Sequence, residues 1–361
     1  MDELSELRDE IASIDAEIIR LAAQRTSVAA RLGDLKRQEG RPLRDFAHEK
    51  EVVGRARRFA AEAGMTESLA ENLMLELIES SLTIQEQGQV KASSKGSGRT
   101  ALVIGGAGRM GSWFVRFLSS QGFDVEVADP ASGHGFSDWR ETGRSYDVNV
   151  VAAPLETTAR ILDQMVADPP SGLVFDIGSL KTPLRAGLGA LAESGVAVTS
   201  VHPMFGPATQ LLSGRHVVVV DLGDREATNA ARELFAPTMA SIVEMDLDSH
   251  DRLIAYILGL SHALNVAFFT ALAESGEEAV KLASLSSTTF DRQLAVASQV
   301  AGENPHLYFE IQSLNDYGTE PLEALANAVE KIRLMVDTED GEGFASMMEA
   351  GRSYLEESMR R

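Results

Sequence analysis

The stretch Leu102-Val103-Ile104-Gly105-Gly106-Ala107-Gly108-Arg109-Met110-Gly111 decides the fold of the middle of the chain. Its apolar start predicts a strand, and the residues after the glycines predict a helix. Gly106 permits the tight turn between them, Gly108 lets the backbone approach a pyrophosphate, and Gly111 allows close helix–strand packing. The helix N-terminus then faces the anion. The spacing predicts a Rossmann-like dinucleotide-binding site.

The end of the next predicted strand indicates which dinucleotide is bound. Asp129 lies where a carboxylate accepts hydrogen bonds from the adenosine ribose diol and repels the 2′-phosphate of NADP. The expected cofactor is therefore NAD. Arg109 and Met110 lie in the same loop, and a solvated Arg109 is about as compatible with the sequence as a phosphate contact. A glycine-rich turn in another doubly wound protein, with a solvated Asp129, is the alternative.

Three regions with different hydrophobic patterns follow one another along the chain. Apolar residues at three- and four-residue steps predict helices over 4–36, 46–63 and 67–87. Short β-branched runs alternate with helical stretches further on and predict a mostly parallel sheet with crossover helices. The predicted strands are 101–104, 124–128, 148–152, 173–177, 196–201 and 216–220. Long helical patterns return from about Asp248.

Residues 88–99, GQVKASSKGSGR, are small and polar, and this composition is typical of a flexible linker. The resulting fold class is multidomain: an all-α bundle, an α/β Rossmann-like domain and an all-α dimerisation domain. The domain bounds are 1–90 for the bundle, 91–99 for the linker, 100–247 for the Rossmann-like domain and 248–361 for the last helices.

Composition excludes several classes of chemistry. The chain has no cysteine, which removes thiol nucleophiles, Cys-ligated zinc and iron–sulfur clusters. A net charge of -21 argues against a nucleic-acid partner, because phosphate binding needs clustered Lys and Arg. No metal is expected. The acidic start Met1-Asp2-Glu3 is unlike a secretory signal, and no apolar run approaches a membrane span. A cytoplasmic protein with no membrane contact is expected.

Three clusters follow the glycine turn: Phe175-Asp176-Ile177-Gly178-Ser179-Leu180-Lys181, then His202-Pro203-Met204-Phe205-Gly206-Pro207, and then His250-Asp251 with His262. With the dinucleotide motif they closely resemble prephenate dehydrogenase, from about Ala101 to beyond Tyr308. The resemblance implies oxidative decarboxylation of prephenate to 4-hydroxyphenylpyruvate, with hydride passing to NAD.

The resemblance also implies roles for individual residues. His202 is the base, as suits a side chain whose pKa lies near the working pH. Ser179 aids it by hydrogen bonding, Lys181 and His262 line the substrate pocket, and Pro154 flanks the nicotinamide. Singly, a histidine before proline also fits a turn, and His262 also fits a helix core.

One position departs from the family pattern on a late helix. Gln299 stands where the family usually has an arginine for a substrate carboxylate. Arg292, seven residues earlier on the same predicted helix, points nearly the same way. We expect it to supply this contact, and a solvent-facing Arg292 is almost as compatible with the sequence.

The first helices resemble the all-helical chorismate mutases over nearly their whole length. The matching residues are Arg8, Arg25, Lys36, Asp45, Glu49, Ser81 and Gln85. Rearrangement of chorismate is pericyclic, so the protein clamps two carboxylates and stabilises charge on the breaking ether oxygen. The family pattern assigns Arg8 and Arg25 to carboxylates, Lys36 and Gln85 to the ether oxygen, and Glu49 to the ring hydroxyl. His48 replaces the usual arginine.

Helix geometry predicts a homodimer. At 1.5 Å per residue, Arg8 and Arg25 lie roughly 26 Å apart on a straight helix, too far to grip one small molecule. Arg8 should therefore serve the site of a partner subunit. The sequence thus indicates a bifunctional enzyme of tyrosine biosynthesis whose small-molecule substrates are chorismate and prephenate. The alternative is a monofunctional prephenate or arogenate dehydrogenase with a non-catalytic N-terminal dimerisation bundle.

Overall fold

The computed structural model describes residues 3–131, 133 and 135–359, so Met1 and Asp2 lie outside the described residues. The chain divides into two compact units. The first comprises the chain up to Gly178 and Ala186–Asp246, and the second comprises Ser179–Arg185 and the chain from Leu247 onward. The helical bundle and the sheet therefore belong to one unit.

Three helices form the bundle: α1 (Glu3–Gln38), α2 (Phe46–Glu62) and α3 (Glu67–Ser93). Asp45 caps α2 by accepting a hydrogen bond from the backbone N–H of His48 at 3.0 Å. Both α1 and α2 pack against α3. Residues 3–21 of α1 are all exposed, including its apolar positions, so half of this helix is without apolar cover in the described chain.

The first half of the segment expected to be a flexible linker is helical. Helix α3 continues to Ser93 instead of ending at Gln87, and Val90 is buried in the same core as Trp113 and Phe117. Gln89 Nε2 donates to the carbonyl oxygen of Pro237 at 2.9 Å. The composition of this segment alone indicates a flexible linker, because the residues that pack against it and order it are distant in the sequence.

Among the residues that the structure describes, seven strands form one sheet in the order β2-β1-β3-β4-β5-β6-β7. All pairs are parallel except β5–β6, which is antiparallel. The strands are β1 (Thr100–Ile104), β2 (Asp124–Ala128), β3 (Val148–Val151), β4 (Leu173–Asp176), β5 (Val198–Pro203), β6 (His216–Val220) and β7 (Ser241–Met245). The sequence prediction missed β7, a half-exposed edge strand that carries Glu244 and lacks a continuous apolar run.

Helices cover the sheet and enclose its core. They are α4 (Arg109–Ser120), α5 (Leu155–Ala167), α6 (Arg185–Glu193) and α7 (Arg225–Phe235). Phe117 stacks between Trp113 and Phe235, with ring centroids 4.9 and 5.1 Å away. This aromatic cluster fixes α4, the helix that starts at the glycine turn.

The second unit is helical. Its helices are α8 (Leu247–Ile254), α9 (Ser261–Glu274), α10 (Ala279–Ser284), α11 (Thr288–Ala301), α12 (Pro305–Ser313), α13 (Thr319–Asp337) and α14 (Gly341–Met359), with a π-helical turn (Ala255–Leu260) joining α8 to α9. The combined run Leu247–Glu274 is long and apolar enough to cross a membrane by length and composition, contrary to the expectation from sequence. Polar residues such as His250 and Asn265 interrupt the apolar run, which is why the sequence prediction did not find it. Helices that pack against other parts of a protein can be equally apolar.

Candidate active sites

The turn between β1 and α4 is built on closely packed glycines. Gly105 adopts φ +84°, and a Cβ there would lie 2.6 Å from the carbonyl oxygen of Ala152. The left-handed residue is therefore Gly105, where the sequence had suggested Gly106 for the tight turn. A Cβ on Gly111 would lie 2.1 Å from the carbonyl oxygen of Gly105, so only glycine fits at the start of α4.

Asp129 joins this turn to the end of β2. Its Oδ2 accepts from the backbone N–H of Ala107 at 3.0 Å, and its Oδ1 accepts from that of Ala131 at 2.8 Å. Asp129 and Gly108 line a cavity of about 330 Å³. Other lining residues are Gly105, Pro130, Trp139, Ala153, Pro154 and Arg160. The cavity places one carboxylate beside a glycine turn that is open to an anion.

The two remaining predicted loop residues differ in burial. Arg109 is the first residue of α4 and is exposed, whereas Met110 is half-buried and packs on the hydrophobic core.

His202 lies near the C-terminal end of β5, opposite Val218 of β6, and is 4% exposed. Parallel strands β1, β3, β4 and β5 end at the same edge of the sheet, so His202 shares that edge with the glycine turn. At the end of neighbouring β4, buried Asp176 accepts from the backbone N–H of Gly178 at 2.8 Å and from the Ser200 hydroxyl. This is the sheet edge at which open α/β folds bind ligands.

In the second unit, Asp251 anchors the short segment that carries Ser179 and Lys181. Its carboxylate accepts from the backbone N–H of Lys181 at 3.0 Å, and from the backbone N–H and hydroxyl of Thr182 at 2.5 and 2.6 Å. His250 Nδ1 lies 2.6 Å from the same carboxylate. Burial acts to raise the pKa of Asp251, but the hydrogen bonds from His250 and Thr182 hold it below its ordinary value. The sequence had marked this His–Asp pair without a role.

His262 on α9 borders an apolar cavity of about 790 Å³ within the second unit. Its ring stacks on Tyr308 of α12 with centroids 4.0 Å apart. Its Nδ1 is buried and has no hydrogen-bond partner among the described residues. Burial lowers the pKa of His262 below its ordinary value, so the ring is neutral at pH 7.

Arg292 and Gln299 are both exposed on α11. The side of α11 that faces α9 carries Gln293, which donates from Nε2 to Asn265 Oδ1 at 3.0 Å. Within the described chain Arg292 has no ion pair, so its expected contact with a substrate carboxylate stays a prediction.

In the bundle, Arg25 joins α1 to α3. Its Nη1 donates to the Ser81 hydroxyl and to the carbonyl oxygen of Leu77, each at 2.6 Å. Burial lowers the pKa of the guanidinium, which nevertheless stays charged at any physiological pH. The contacts leave the rest of its five N–H donors for a ligand.

Gln85 lies one helical turn beyond Ser81 and is 5% exposed. Its Oε1 is buried without a hydrogen-bond partner in the described chain. A Cβ on Gly33 of α1 would lie 2.6 Å from Gln85 Cγ, so this glycine makes room for the side chain. Lys36, one turn beyond Gly33, donates from Nζ to the carbonyl oxygen of Leu43 at 2.5 Å. A buried amide oxygen that has no partner among the described residues fits a small polar ligand.

Glu49 is held by a residue that the sequence prediction did not single out. Arg44 Nε and Nη2 each donate to one of the Glu49 carboxylate oxygens, both at 3.1 Å. An arginine five residues before a glutamate gives no distinctive sequence signal. His48 is exposed beside Glu51, and Arg8 lies on the exposed half of α1, away from Arg25. Arg25 and Ser81 are in direct contact, whereas within the described chain Arg8 has no hydrogen bond to either of them.

Comparison with known protein families divides the chain into a helical part, a nucleotide-binding part and a second helical part. Residues 7–86 match the family Chorismate mutase type II, residues 119–244 match the prephenate dehydrogenase nucleotide-binding domain, and residues 246–350 match the prephenate dehydrogenase dimerization domain.

Two curated relatives and one solved structure are similar to the chain. A probable arogenate/prephenate dehydrogenase of Methanocaldococcus jannaschii is 27% identical over 74% of this chain, which spans 63% of that protein's length. The T-protein of Haemophilus influenzae is 26% identical over 98% of this chain and 93% of its own. Prephenate dehydrogenase from A. aeolicus, solved with hydroxyphenyl propionate and NAD+, has a TM-score of 0.60 at 17% identity, covering 72% of this chain and 98% of that one.

The glycine turn, the sheet edge and the helical second unit define a dinucleotide-dependent dehydrogenase, preceded in the chain by a helical ligand-binding bundle. The chain belongs to the prephenate dehydrogenase family and carries a type II chorismate mutase domain. It is an enzyme of two activities, an isomerase and an oxidoreductase.

Proposed function

We propose that the bundle rearranges chorismate to prephenate and that the dehydrogenase domains convert prephenate to 4-hydroxyphenylpyruvate. Arg25, Ser81 and Gln85, here called the clamp, carry this proposal, because an inert dimerisation bundle has no need of a half-buried guanidinium near a buried amide oxygen that has no partner among the described residues. The same clamp weighs against a monofunctional dehydrogenase.

The mutase needs to hold chorismate in one conformer and to stabilise the charge that develops on its breaking ether oxygen. Arg25 binds a substrate carboxylate in bidentate fashion, and Lys36 and Gln85 donate to the breaking ether oxygen. Glu49, whose carboxylate accepts two hydrogen bonds from Arg44, accepts a further one from the ring hydroxyl. Asp45, Ser81 and His48 complete the substrate contacts. No proton or covalent bond to the protein is required, because the rearrangement is pericyclic.

The dehydrogenase needs one base and one hydride acceptor. The cofactor is NAD, which when bound would supply the acceptor for the hydride that leaves the carbon carrying the ring hydroxyl. His202 takes the hydroxyl proton, carbon dioxide leaves, and the ring becomes aromatic. Gly106, Gly108 and Gly111 with Arg109 and Met110 would hold the pyrophosphate, Asp129 would accept from the ribose diol, and Pro154 would flank the nicotinamide. Ser179, Lys181 and His262 serve the substrate, with Arg292 for its carboxylate and Gln299 as a neutral donor.

The assembly is a homodimer in the cytoplasm. Six apolar residues of the exposed half of α1 are not covered by any part of the chain that the structure describes: Leu4, Leu7, Ile11, Ile14, Ile18 and Leu21. Burying this stripe against a second copy gains about 25 cal/mol per Å² of apolar area. The same pairing brings Arg8 to the partner subunit's mutase site, which one chain alone leaves without it. The apolar run Leu247–Glu274 lies within the domain matched to dimerization, and a second subunit covers it.

Following NADH formation with chorismate as the only organic substrate tests both activities together. The full chain should reduce NAD with chorismate alone, after a lag while prephenate accumulates. Reduction with prephenate but not with chorismate would overturn the mutase assignment. If neither chorismate nor prephenate supports NAD reduction and arogenate does, the substrate assignment is wrong. The full chain is the proper material, because a fragment ending at residue 90 would expose Val90 and Glu86.

A further inference from the structure

Arg44 connects the mutase residue Glu49 to the Rossmann domain. While Nε and Nη2 hold the Glu49 carboxylate, Nη1 donates to the Ser213 hydroxyl at 2.7 Å. The guanidinium also lies 4.4 Å above the centre of the Phe46 ring. Glu49, Ser213 and Phe46 therefore fix the plane of the guanidinium together.

Ser213 is itself held in place. It lies in the connection between β5 and β6, directly after Leu212, which is buried in the Rossmann core. The backbone N–H of Leu212 donates at 2.7 Å to Glu86 of α3, and the other oxygen of Glu86 accepts from the backbone N–H of Met239. Glu86 is buried, and burial raises its pKa against the opposing effect of these two bonds. The serine is thus presented by a rigid part of the structure.

We propose that Ser213, a residue of the dehydrogenase part of the chain, is a positioning residue of the mutase and acts through Arg44 on Glu49. This inference rests on the role proposed for Glu49. A half-exposed arginine has many rotamers, and a carboxylate paired with it shares that freedom. Fixing the third guanidinium nitrogen limits both side chains to one arrangement, in which the Glu49 carboxylate awaits the ring hydroxyl.

Mutase kinetics of the full-length enzyme test the inference. Ser213→Ala should lower the mutase kcat by about threefold to tenfold, since one hydrogen bond to a charged group is lost and each tenfold corresponds to 1.4 kcal/mol. Ser213→Thr keeps the hydroxyl and should retain most of the rate. Ser194→Ala is the matched control, because that hydroxyl donates only to the carbonyl oxygen of Leu191. A Ser213→Ala enzyme as fast as the Ser194→Ala control would overturn the inference.

A double-mutant cycle separates positioning from general loss of structure. In an Arg44→Ala background, Ser213→Ala should have no further effect on the mutase rate, because the connection is already broken. Additive losses would overturn the inference. Glu49→Ala belongs in the same series. If it leaves the mutase rate unchanged, the role of Glu49 is wrong and the inference falls with it. If Glu49→Ala abolishes the rate and Ser213→Ala does not slow it, the inference alone is wrong.

Discussion

Arg25 and Ser81 form the contact that joins α1 to α3 inside the bundle, with Nη1 and Oγ 2.6 Å apart. Both side chains come from the set that resembles chorismate mutase, and they meet across 56 residues of sequence. The contact directs the guanidinium to α3, the helix that also carries Gln85. Loss of the Arg25 side chain should therefore lower the mutase activity and leave the dehydrogenase activity nearly unchanged.

Replacing Arg25 with alanine should lower mutase kcat/KM about a hundredfold or more, because charge-assisted hydrogen bonds to a carboxylate contribute ~1.5–3 kcal/mol. Oxidation of added prephenate should stay nearly unchanged. Chorismate consumption and NADH formation measure the two rates. Arg20→Ala is the control, since Arg20 is exposed and pairs with Glu17. Loss of both activities in a folded Arg25 variant would contradict two independent sites.

Asp129→Ser should weaken NAD binding and narrow the preference for NAD over NADP. The carboxylate both receives the ribose diol and repels the 2′-phosphate. Fluorescence titrations with NADH and with NADPH measure the two affinities and therefore the preference. Asp124→Asn, at the exposed start of the same strand, provides the control. A cofactor ratio unchanged from wild type would place selectivity elsewhere.

His202→Asn should reduce the dehydrogenase kcat by about 10²–10⁴, the usual contribution of a positioned base. NAD affinity and the mutase rate should be retained, because the substitution removes only the base. His216→Asn, at the exposed end of β6, is a suitable comparison. Retention of most of the dehydrogenase rate would show that another group is the base.

The His262 ring should titrate below its ordinary pKa of 6.5, because burial disfavours the imidazolium. The unfolded chain then binds more protons between the two pKa values. The contribution of His262 to the free energy of unfolding is therefore fully present above pH 6.5 and declines as the pH falls toward the folded pKa. NMR titration, with His262→Asn for assignment, measures this directly. A titration midpoint at or above 6.5 would refute it.

Arg292→Ala should raise the KM for prephenate and leave the KM for NAD unchanged, because a dianionic substrate favours a charge-assisted pair over the neutral Gln299. Steady-state kinetics with each substrate varied in turn distinguishes the two constants. Arg333→Ala is the control, since Arg333 pairs with Glu330 on another exposed helix face. If neither constant changes, Lys181 carries the substrate anion without Arg292.

Local patterns in the sequence were sufficient for the order of the three regions and for every strand except β7. Six of the strands follow β-branched runs, and the three helices of the bundle follow apolar positions at helical spacing. The glycine spacing located the dinucleotide turn, but it did not identify Gly105 as the left-handed residue. That depends on the approach of Ala152 from a neighbouring strand, which the sequence does not display.

The features that sequence reasoning missed depend on contacts between distant segments. Helix α3 extends through Ser93 because Val90 and Gln89 meet the Rossmann domain. Asp251 accepts hydrogen bonds from the backbone N–H groups of Lys181 and Thr182, which lie 70 and 69 residues away in the sequence. No periodicity or motif encodes such partners, and propensity is a weak guide where tertiary packing decides.

The extension of α3 has a consequence for synthesis of the chain. Glu86 leaves the ribosome long before its hydrogen-bond partners, since Leu212 follows it by 126 residues and Met239 by 153. At ordinary translation rates the first interval lasts about 6–25 s. During that time the last turns of α3 have no Rossmann domain to pack against, and the nascent bundle presents Val90 to solvent or to chaperones. The mutase bundle thus begins folding first, yet its final helix is completed only after translation has passed the sixth strand.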